Sequence, residues 1–507
     1  MIGHGHTASE GFSASSEAAG PVRPVRELAG LVRELLLRPE SRGGERRAVR
    51  LAVEFSAGAG EVPSLETPLG WLFSLKNRTE AQLFPKVYWS GREAARRGGR
   101  ESAAVGAAHR ADGLQATLLA AADSPETRYY GGLRFDSGYP EERRDARWSG
   151  FGDGSFVLPR VELSRDDGLC VLSCNLVLPD DAKYAESLPA FVEGLMAEDP
   201  AGPDGAAPRL VARRDRPDFE GWSREVERAV EEFRERPGKV VFARRADLDF
   251  DGDLDALSLL GSLKAATPGC FHFYFEPEPG GAAFIGATPE RLYGREGRAV
   301  RSEAVAGTRP RGASAADDDG LLEELLGSEK DRAEQRYVRD SIERDLRKLC
   351  AALTVEEGVS EMKLASRRHL VSRFRGTLAE GVTDADVIRA LHPTPAVGGY
   401  PKGEAILRLR DSEPFDRGWY AGPVGWLSRD AAELAVGIRS GLVGGSRLSL
   451  FSGAGIVAGS TPGGEWAEIE QKISDFILVL GDGESSGAAP AVALPHDAPD
   501  SLERATG

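Results

Sequence analysis

At 507 residues, with 41% hydrophobic and 28% charged side chains, the chain has enough apolar material for a packed core and enough charge for a solvated surface, which excludes a wholly disordered protein. A formal net charge of −16 disfavours nucleic acid and anionic membranes as partners. An anionic ligand must therefore be met locally, by a cation, by placed Arg and Lys, or by backbone amides. No apolar run approaches the roughly 20 residues that span a bilayer. The opening MIGHGHTASEGFSASSEAAG lacks a positive n-region followed by an apolar stretch, so a cytoplasmic protein is expected.

Residues 1–20 and 483–507 are rich in Gly, Ala, Ser and Pro and are expected to be disordered. From 21 to 220 short strand-like runs (AVRLAVEF, KVYWSG, YYGGLRF, FVLPRVEL, LCVLSCNLVL) are separated by Gly, Pro and Asp turns. Cys170 and Cys174 fall in the last of these. With Cys270 and Cys350 they are expected to be buried thiols, since no histidine or further cysteine lies near enough for a zinc knuckle. WSREVERAVEEFRER predicts a helix with Val226, Val230 and Phe233 on one face, stopped by Pro237-Gly238. Over 221–482 strands (KVVFAR, CFHFYFEP, AAFIGAT, ELAVGI, SLFSGAGIV) mix with charged amphipathic helices, the longest expected from about Asp331 to Leu353 and another from about Glu465 to Leu480. Strands and helices do not alternate strictly. The expected class is therefore α+β, with antiparallel sheets flanked by helices in one large fold.

Four constellations can carry chemistry. Asp331 and Glu334 stand three apart in a predicted helix, and Glu465 and Glu468 repeat the spacing, followed one turn on by Lys472. Two such pairs can hold a hard cation through oxygen, for which magnesium is suited; they can equally be solvated charges paired with neighbouring Arg and Lys. Glycine-rich segments at 286–290, 306–312, 396–400 and 452–460 can form anion-binding nests or plain turns. Lys239 opens a strand behind a Pro-Gly turn, where it is either a base in a partly dry site or a surface lysine. Glu290 follows an apolar strand, as a general acid with a raised pKa or an exposed turn carboxylate. His369 and Arg439, singly, read as structural residues.

In order along the chain, KVVFAR, GATPERL, AVAGTRPRG, EKDRAEQ, HLVSRFRG, HPTPAVGGYPK, RGWYAGPVGW, GIRSGL and GAGIVAGSTPGGEWAEIEQK resemble the chorismate-binding family of anthranilate, aminodeoxychorismate, salicylate and isochorismate synthases. The resemblance covers roughly 220–480, with weaker similarity upstream (PLGWLFSL, PKVYWSG). It implies a single large chorismate-binding fold with chorismate as its small-molecule substrate. Mg2+ would be held by Glu334 and Glu468, with Asp331 and Glu465 beside them. It implies that Arg439, Tyr420 and the Gly453–Ala454–Gly455 amides hold the enolpyruvyl carboxylate, that Lys472 sits near the metal end, and that Gly307, Thr308, His369 and Ala396 line the substrate. Lys239 matches the family lysine that activates water at ring C2, and Glu290 the acid that protonates the departing C4 hydroxyl.

Within the family the resemblance points to isochorismate synthase. Ala306 stands where aminodeoxychorismate synthases carry a nucleophilic lysine. The Leu-Leu-Glu-Ser feedback motif of many anthranilate synthases is absent from the sequence, and Lys239 favours water over ammonia, so no amidotransferase partner is expected. Ala396 stands where the lyases place threonine. Glu334-Gln335 departs from the Glu-His of many relatives, which puts the contact beside the metal ligand in doubt. The alternatives are a salicylate-forming or ammonia-using relative, or a catalytically silent binding partner. The use of the product, in menaquinone, siderophore or salicylate synthesis, is left open.

Overall fold

The computed structural model describes residues 23–56, 65, 67–94, 100–122, 124, 126–195 and 208–481. The two terminal segments expected to be disordered, 1–20 and 483–507, lie outside the described residues.

Among the described residues twenty strands join in one hydrogen-bonded network, and all their pairings are antiparallel, as the mixed order of strands and helices predicts. One run of neighbours passes from Arg47–Ser56 through Leu169–Leu178, Gly154–Asp166, Glu101–Asp112, Lys86–Ser90, Phe271–Glu276, Ala283–Thr288, Ser440–Gly444 and Arg447–Ile456 to Lys239–Phe250. A second run leaves the N-terminal end of Gly154–Asp166 through Tyr129–Leu133, Pro423–Leu427, Ala431–Val436, Arg291–Glu296 and Ala299–Pro310 to Arg367–Leu378. Strands from before and after residue 220 thus interleave. An aromatic cluster of Trp148, Phe151, Phe275, Phe284 and Trp419 packs edge-to-face and tilted at the centre of the core.

The helices form where apolar spacing and caps predict them. Phe219–Glu235 is capped by Asp218, whose side chain accepts from Gly221 N, and buries Trp222, Val226 and Ala229. The long charged helix spans Glu329–Leu349, capped by Ser328, and buries Asp331, Gln335, Val338, Ile342 and Leu346 at spacings of three and four. It ends four residues earlier than expected. The amide of Cys350 still bonds Leu346 O, but Cys350–Val355 (CAALTV) then pairs with Arg367–Leu378, so the sheet edge takes those residues. The last helix, Pro462–Gly481, buries Glu465, Ile469, Ile473 and Phe476. The four cysteines are free thiols, and three of them are buried. Cys350 is only partly so, because its strand lies near the sheet margin. No helix among the described residues is long and apolar enough to cross a membrane.

Candidate active site

The far ends of the two strand runs carry the residues singled out in the sequence, and two helices bring them together. Helix Pro462–Gly481 packs on Arg447–Ile456, and helix Glu329–Leu349 packs on Ala299–Pro310. Their first turns meet through Lys330, whose Nζ lies 2.5 Å from Glu465 Oε1.

Lys239 is not a surface lysine: it is 1% exposed, and its Nζ donates to Glu334 Oε1 at 2.8 Å. Gly455 makes this possible, because a Cβ there would stand 2.5 Å from Glu334 Oε1 and 2.8 Å from Lys239 Cε. Glu290 is likewise no turn carboxylate. It is 4% exposed, and burial pushes its carboxyl up to about 8, with Lys239 opposing the rise and Glu303 adding to it. Its backbone is held on both sides, by Glu290 N to Thr288 Oγ1 at 3.3 Å and Val436 N to Glu290 O at 3.0 Å.

The acidic pairs are not bunched, and each of their carboxylates is ion-paired. Glu468 accepts from Lys472 at 2.8 Å, which holds its carboxyl down at about 2. Asp331 is paired with Arg309 at 2.9 Å. Burial raises the Glu465 carboxyl, against the opposing charge of Lys330. Among the described residues no three His, Cys, Asp or Glu side chains stand close enough to form a ligand cluster. The Lys330 ammonium nevertheless lies in the field of three carboxylates, Glu465, Glu468 and Glu334, which hold it charged against the cost of burial. The Lys330 ammonium is thus held by one carboxylate in contact and by the charge of carboxylates on both helices. The oxygen donors fit a divalent metal that takes one or two carboxylates and leaves the rest of its shell to other oxygens.

The glycine segments turn out to be strands more than turns. Gly453, Ala454 and Gly455 pair with Ala243, Phe242 and Val241. The groups of Val241 and Ala243 are turned away from this strand, to Gly398, Arg417 and Glu413, so Phe242 and Ala454 form the hydrogen-bonded pair. The expected set of three amides is corrected accordingly, since the Ala454 amide is used by the sheet. Gly453 and Gly455 face the other way, and Lys472 Nζ donates to Gly453 O at 2.9 Å. Gly307 sits in a bulge between Ala306 and Thr308 at φ +71°, and its open side faces Asp331.

The other expected residues gather around these. The Tyr420 hydroxyl lies against Gly453, its ring stacks on Phe451 at 5.2 Å, and burial holds its phenol protonated. Arg439, at φ +50°, and Lys472 line a cavity of about 220 Å³ together with Arg367, Pro289, Leu263 and Phe476. Burial, reinforced by Arg439, pushes the His369 imidazole down to about 3, so it is neutral at working pH. Its Nδ1 lies 3.3 Å from Gly307 O and 3.0 Å from Thr308 Oγ1. A carbonyl only accepts, so Nδ1 carries the proton and the buried Nε2, which has no hydrogen-bond partner among the described residues, is an acceptor. Ala396 lies in a turn stitched to the lysine strand by Val241 N to Gly398 O and clamped by Arg417 Nη1 to Val397 O, both 2.9 Å. Gln335 donates to Ala304 O at 3.1 Å and to Ser372 Oγ at 3.3 Å, so it braces the sheet rather than reaching the cavity.

Sequence reading missed Lys330, although it stands inside the quoted EKDRAEQ segment, and also Arg92 and Glu303, which no local pattern marks.

A family model for chorismate binding enzymes matches residues 102–481. Isochorismate synthase MenF of Bacillus subtilis is 36% identical over 69% of this chain and 74% of its own length. The chloroplastic isochorismate synthase 2 of Arabidopsis thaliana is 36% identical over 70% of this chain, the match spanning 65% of the plant protein. The structure of MenF, the menaquinone-specific isochorismate synthase from Escherichia coli, superposes with a TM-score of 0.76 at 27% identity, covering 90% of this chain and all (100%) of that one. Matched in sequence over most of its length and in its antiparallel fold, the chain belongs to the chorismate-binding enzyme family.

Proposed function

We propose that this protein is an isochorismate synthase, which converts chorismate reversibly to isochorismate by adding water at ring C2 as the C4 hydroxyl leaves. The observation that carries the reading is the buried pair Lys239 and Glu290, a lysine and a protonated carboxyl near enough to act on one another electrostatically. A displacement across an allylic system needs a base where water attacks and an acid where the hydroxyl departs.

Lys239 takes a proton from the attacking water, and its hydrogen bond to Glu334 fixes its direction. Glu290 gives its proton to the C4 oxygen, and burial keeps that proton on the carboxyl below about pH 8. In the reverse reaction Glu290 takes the proton back and Lys239 returns its own. Arg439, Tyr420 and the amides of Gly453 and Gly455 hold the enolpyruvyl carboxylate. His369 Nε2 accepts from a substrate hydroxyl and, with Thr308 and Gly307, sets the ring's orientation. Magnesium, held by Glu334 and Glu468 with Asp331 and Glu465 beside them, would supply positive charge to the ring carboxylate. Lys472 anchors Glu468. Ala396 leaves the pocket without the hydroxyl that a lyase places there. The enzyme acts without an amidotransferase partner, in the cytoplasm, where free thiols persist.

Chorismate and magnesium alone, without glutamine or an ammonium salt, should give isochorismate, and the reaction should run backwards from isochorismate. Product chromatography with a pyruvate-coupled assay decides it. Stoichiometric pyruvate would move the assignment to salicylate synthase.

A further inference from the structure

The segment around Glu290 is held by a residue far from it in sequence. Arg92 follows the strand Lys86–Ser90 and lies ahead of the stretch the family model covers. Its Nη1 donates to the carbonyl of Pro289, the residue before Glu290, at 3.0 Å. The same guanidinium makes a two-pronged pair with Glu303, at 2.7 and 2.6 Å. Glu303 also accepts from Arg291, the residue after Glu290, at 3.0 Å, and both guanidinium groups lie over the ring of Phe271. One buried carboxylate thereby fixes the chain on both sides of Glu290.

We propose that Arg92, locked onto Glu303, is a positioning residue for the proton donor: by pinning the Pro289 carbonyl it sets where the Glu290 carboxyl points in the cleft. This rests on the reading of Glu290 as the acid. A planar guanidinium has the geometry for the task, since two of its N–H groups occupy Glu303 while a further one reaches the carbonyl. Burial works against the charge of Glu303, but the hydrogen bonds and charges of Arg92 and Arg291 keep it ionised. Its negative charge stands close enough to Glu290 to help keep that carboxyl protonated. The charged and titratable groups facing Glu290 are Lys239 on its strand, Glu303 on Ala299–Pro310 and Tyr420, with Arg92 at the neighbouring carbonyl.

The clamp gives opposite signs for its two halves. Arg92→Gln leaves Glu303 less neutralised and Pro289 unpinned. kcat should fall on the order of 10²-fold with KM little changed, as expected when a reacting group is misplaced by about an ångström. The alkaline limb of the kcat profile should move to higher pH. Glu303→Gln removes the negative charge, and the limb should move to lower pH, each shift being about half a unit. Arg92→Lys, which keeps a cation but loses the fork, should fall between wild type and Arg92→Gln. Guanidinium ion in the assay should restore part of the Arg92→Gln rate. Thermal melting and chorismate binding by fluorescence keep the result readable if one variant folds poorly, because Arg92→Lys then carries the test.

Glu290→Gln separates the two ideas. If it turns over chorismate normally, the acid assignment fails. If it is inactive while Arg92→Gln and Arg92→Lys keep the wild-type kcat and pH profile, the clamp alone is overturned. Shifts of the same sign in Arg92→Gln and Glu303→Gln also overturn it, since general loosening of the fold produces no opposed pair.

Discussion

Glu290 and Glu468 are both glutamates of the candidate site, and they sit in opposite ionisation states. Glu468 has the Lys472 ammonium 2.8 Å away and is held down at about 2. Glu290 is more deeply buried, with no hydrogen bond to its carboxyl among the described residues, and is pushed up to about 8. The side-chain type is the same and the family motif names both; a cation in contact makes one an anion, and burial outweighing a more distant cation makes the other an acid. The surroundings of the two carboxyls also differ in how closely cations stand. At the helix end Glu334, Glu465, Glu468 and Asp331 each have their own lysine or arginine. At the Glu290 end the nearest charges belong to Lys239 and Glu303.

The largest way to break this contrast is to remove the proton donor or the base. Glu290→Gln should lower kcat by about 10²–10⁴-fold with little change in KM, because an amide cannot give up the proton the C4 oxygen needs. Lys239→Ala should lower turnover by a similar factor of about 10²–10⁴. A large rise in KM with kcat retained would make Glu290 a binding residue, and near wild-type turnover by the lysine variant would move the base elsewhere.

Neutralising the other end should act through the metal. Glu334→Gln or Glu468→Gln should raise the magnesium needed for half-maximal rate on the order of 10²-fold, and chelation of the wild type should abolish activity reversibly. Full activity in chelator would refute the metal requirement.

A stability measurement sharpens the same contrast without substrate. The Glu290 carboxyl is raised from an ordinary 4.5 to about 8, so the fold carries no penalty from it below pH 4.5. The penalty grows as the pH rises and is complete above about 8, on the order of a few kcal/mol for so buried a group. Glu290→Gln should therefore melt progressively higher than wild type as the pH is taken from 6 to 9. A constant difference in Tm across that range would mean that Glu290 is already ionised in the fold.

The smallest effect concerns the pocket wall. Ala396→Thr should raise pyruvate release from isochorismate above the wild-type level only modestly, because the clamped Val397 carbonyl and the neighbouring turn also shape the site. No detectable pyruvate from the variant would show that the missing hydroxyl does not separate synthase from lyase chemistry here.

Much of this was legible in the sequence, for a physical reason in each case. Helical spacing placed Asp331 with Glu334 and Glu465 with Glu468, and the lack of strict strand–helix alternation pointed to antiparallel sheets. The ordered motifs carried Lys239 and Glu290 past their bland readings. What stayed hidden depends on pairing across the fold. Gly453 and Gly455 look like turn residues in a local window, and only the approach of Glu334, Lys239 and Tyr420 explains why a strand needs them. Whether Ala454 offers its amide to a ligand depends on strand register, which a one-residue shift would invert. Arg92 and Glu303 are two ordinary charges until the sheet brings them together. The end of the long helix was misplaced because Cys350–Val355 tolerates either state and the neighbouring strand decides.

The interleaved strands have a consequence for how the molecule comes to exist. Tyr129–Leu133 pairs with nearby Gly154–Asp166 on one edge but with distant Pro423–Leu427 on the other, and Lys86–Ser90 pairs with Glu101–Asp112 on one edge and with Phe271–Glu276 on the other. A chain leaving the ribosome must hold one edge of these early strands unpaired until much of the remainder has been made. Contacts so distant in sequence close slowly, and exposed strand edges invite association in the meantime. On the proposed reading activity should therefore appear late and all at once, because helix Pro462–Gly481 carries Glu465, Glu468 and Lys472. A nascent or truncated product should be inert towards substrate, and recovery of turnover after dilution from denaturant should serve as a stringent clock for completion of the native topology.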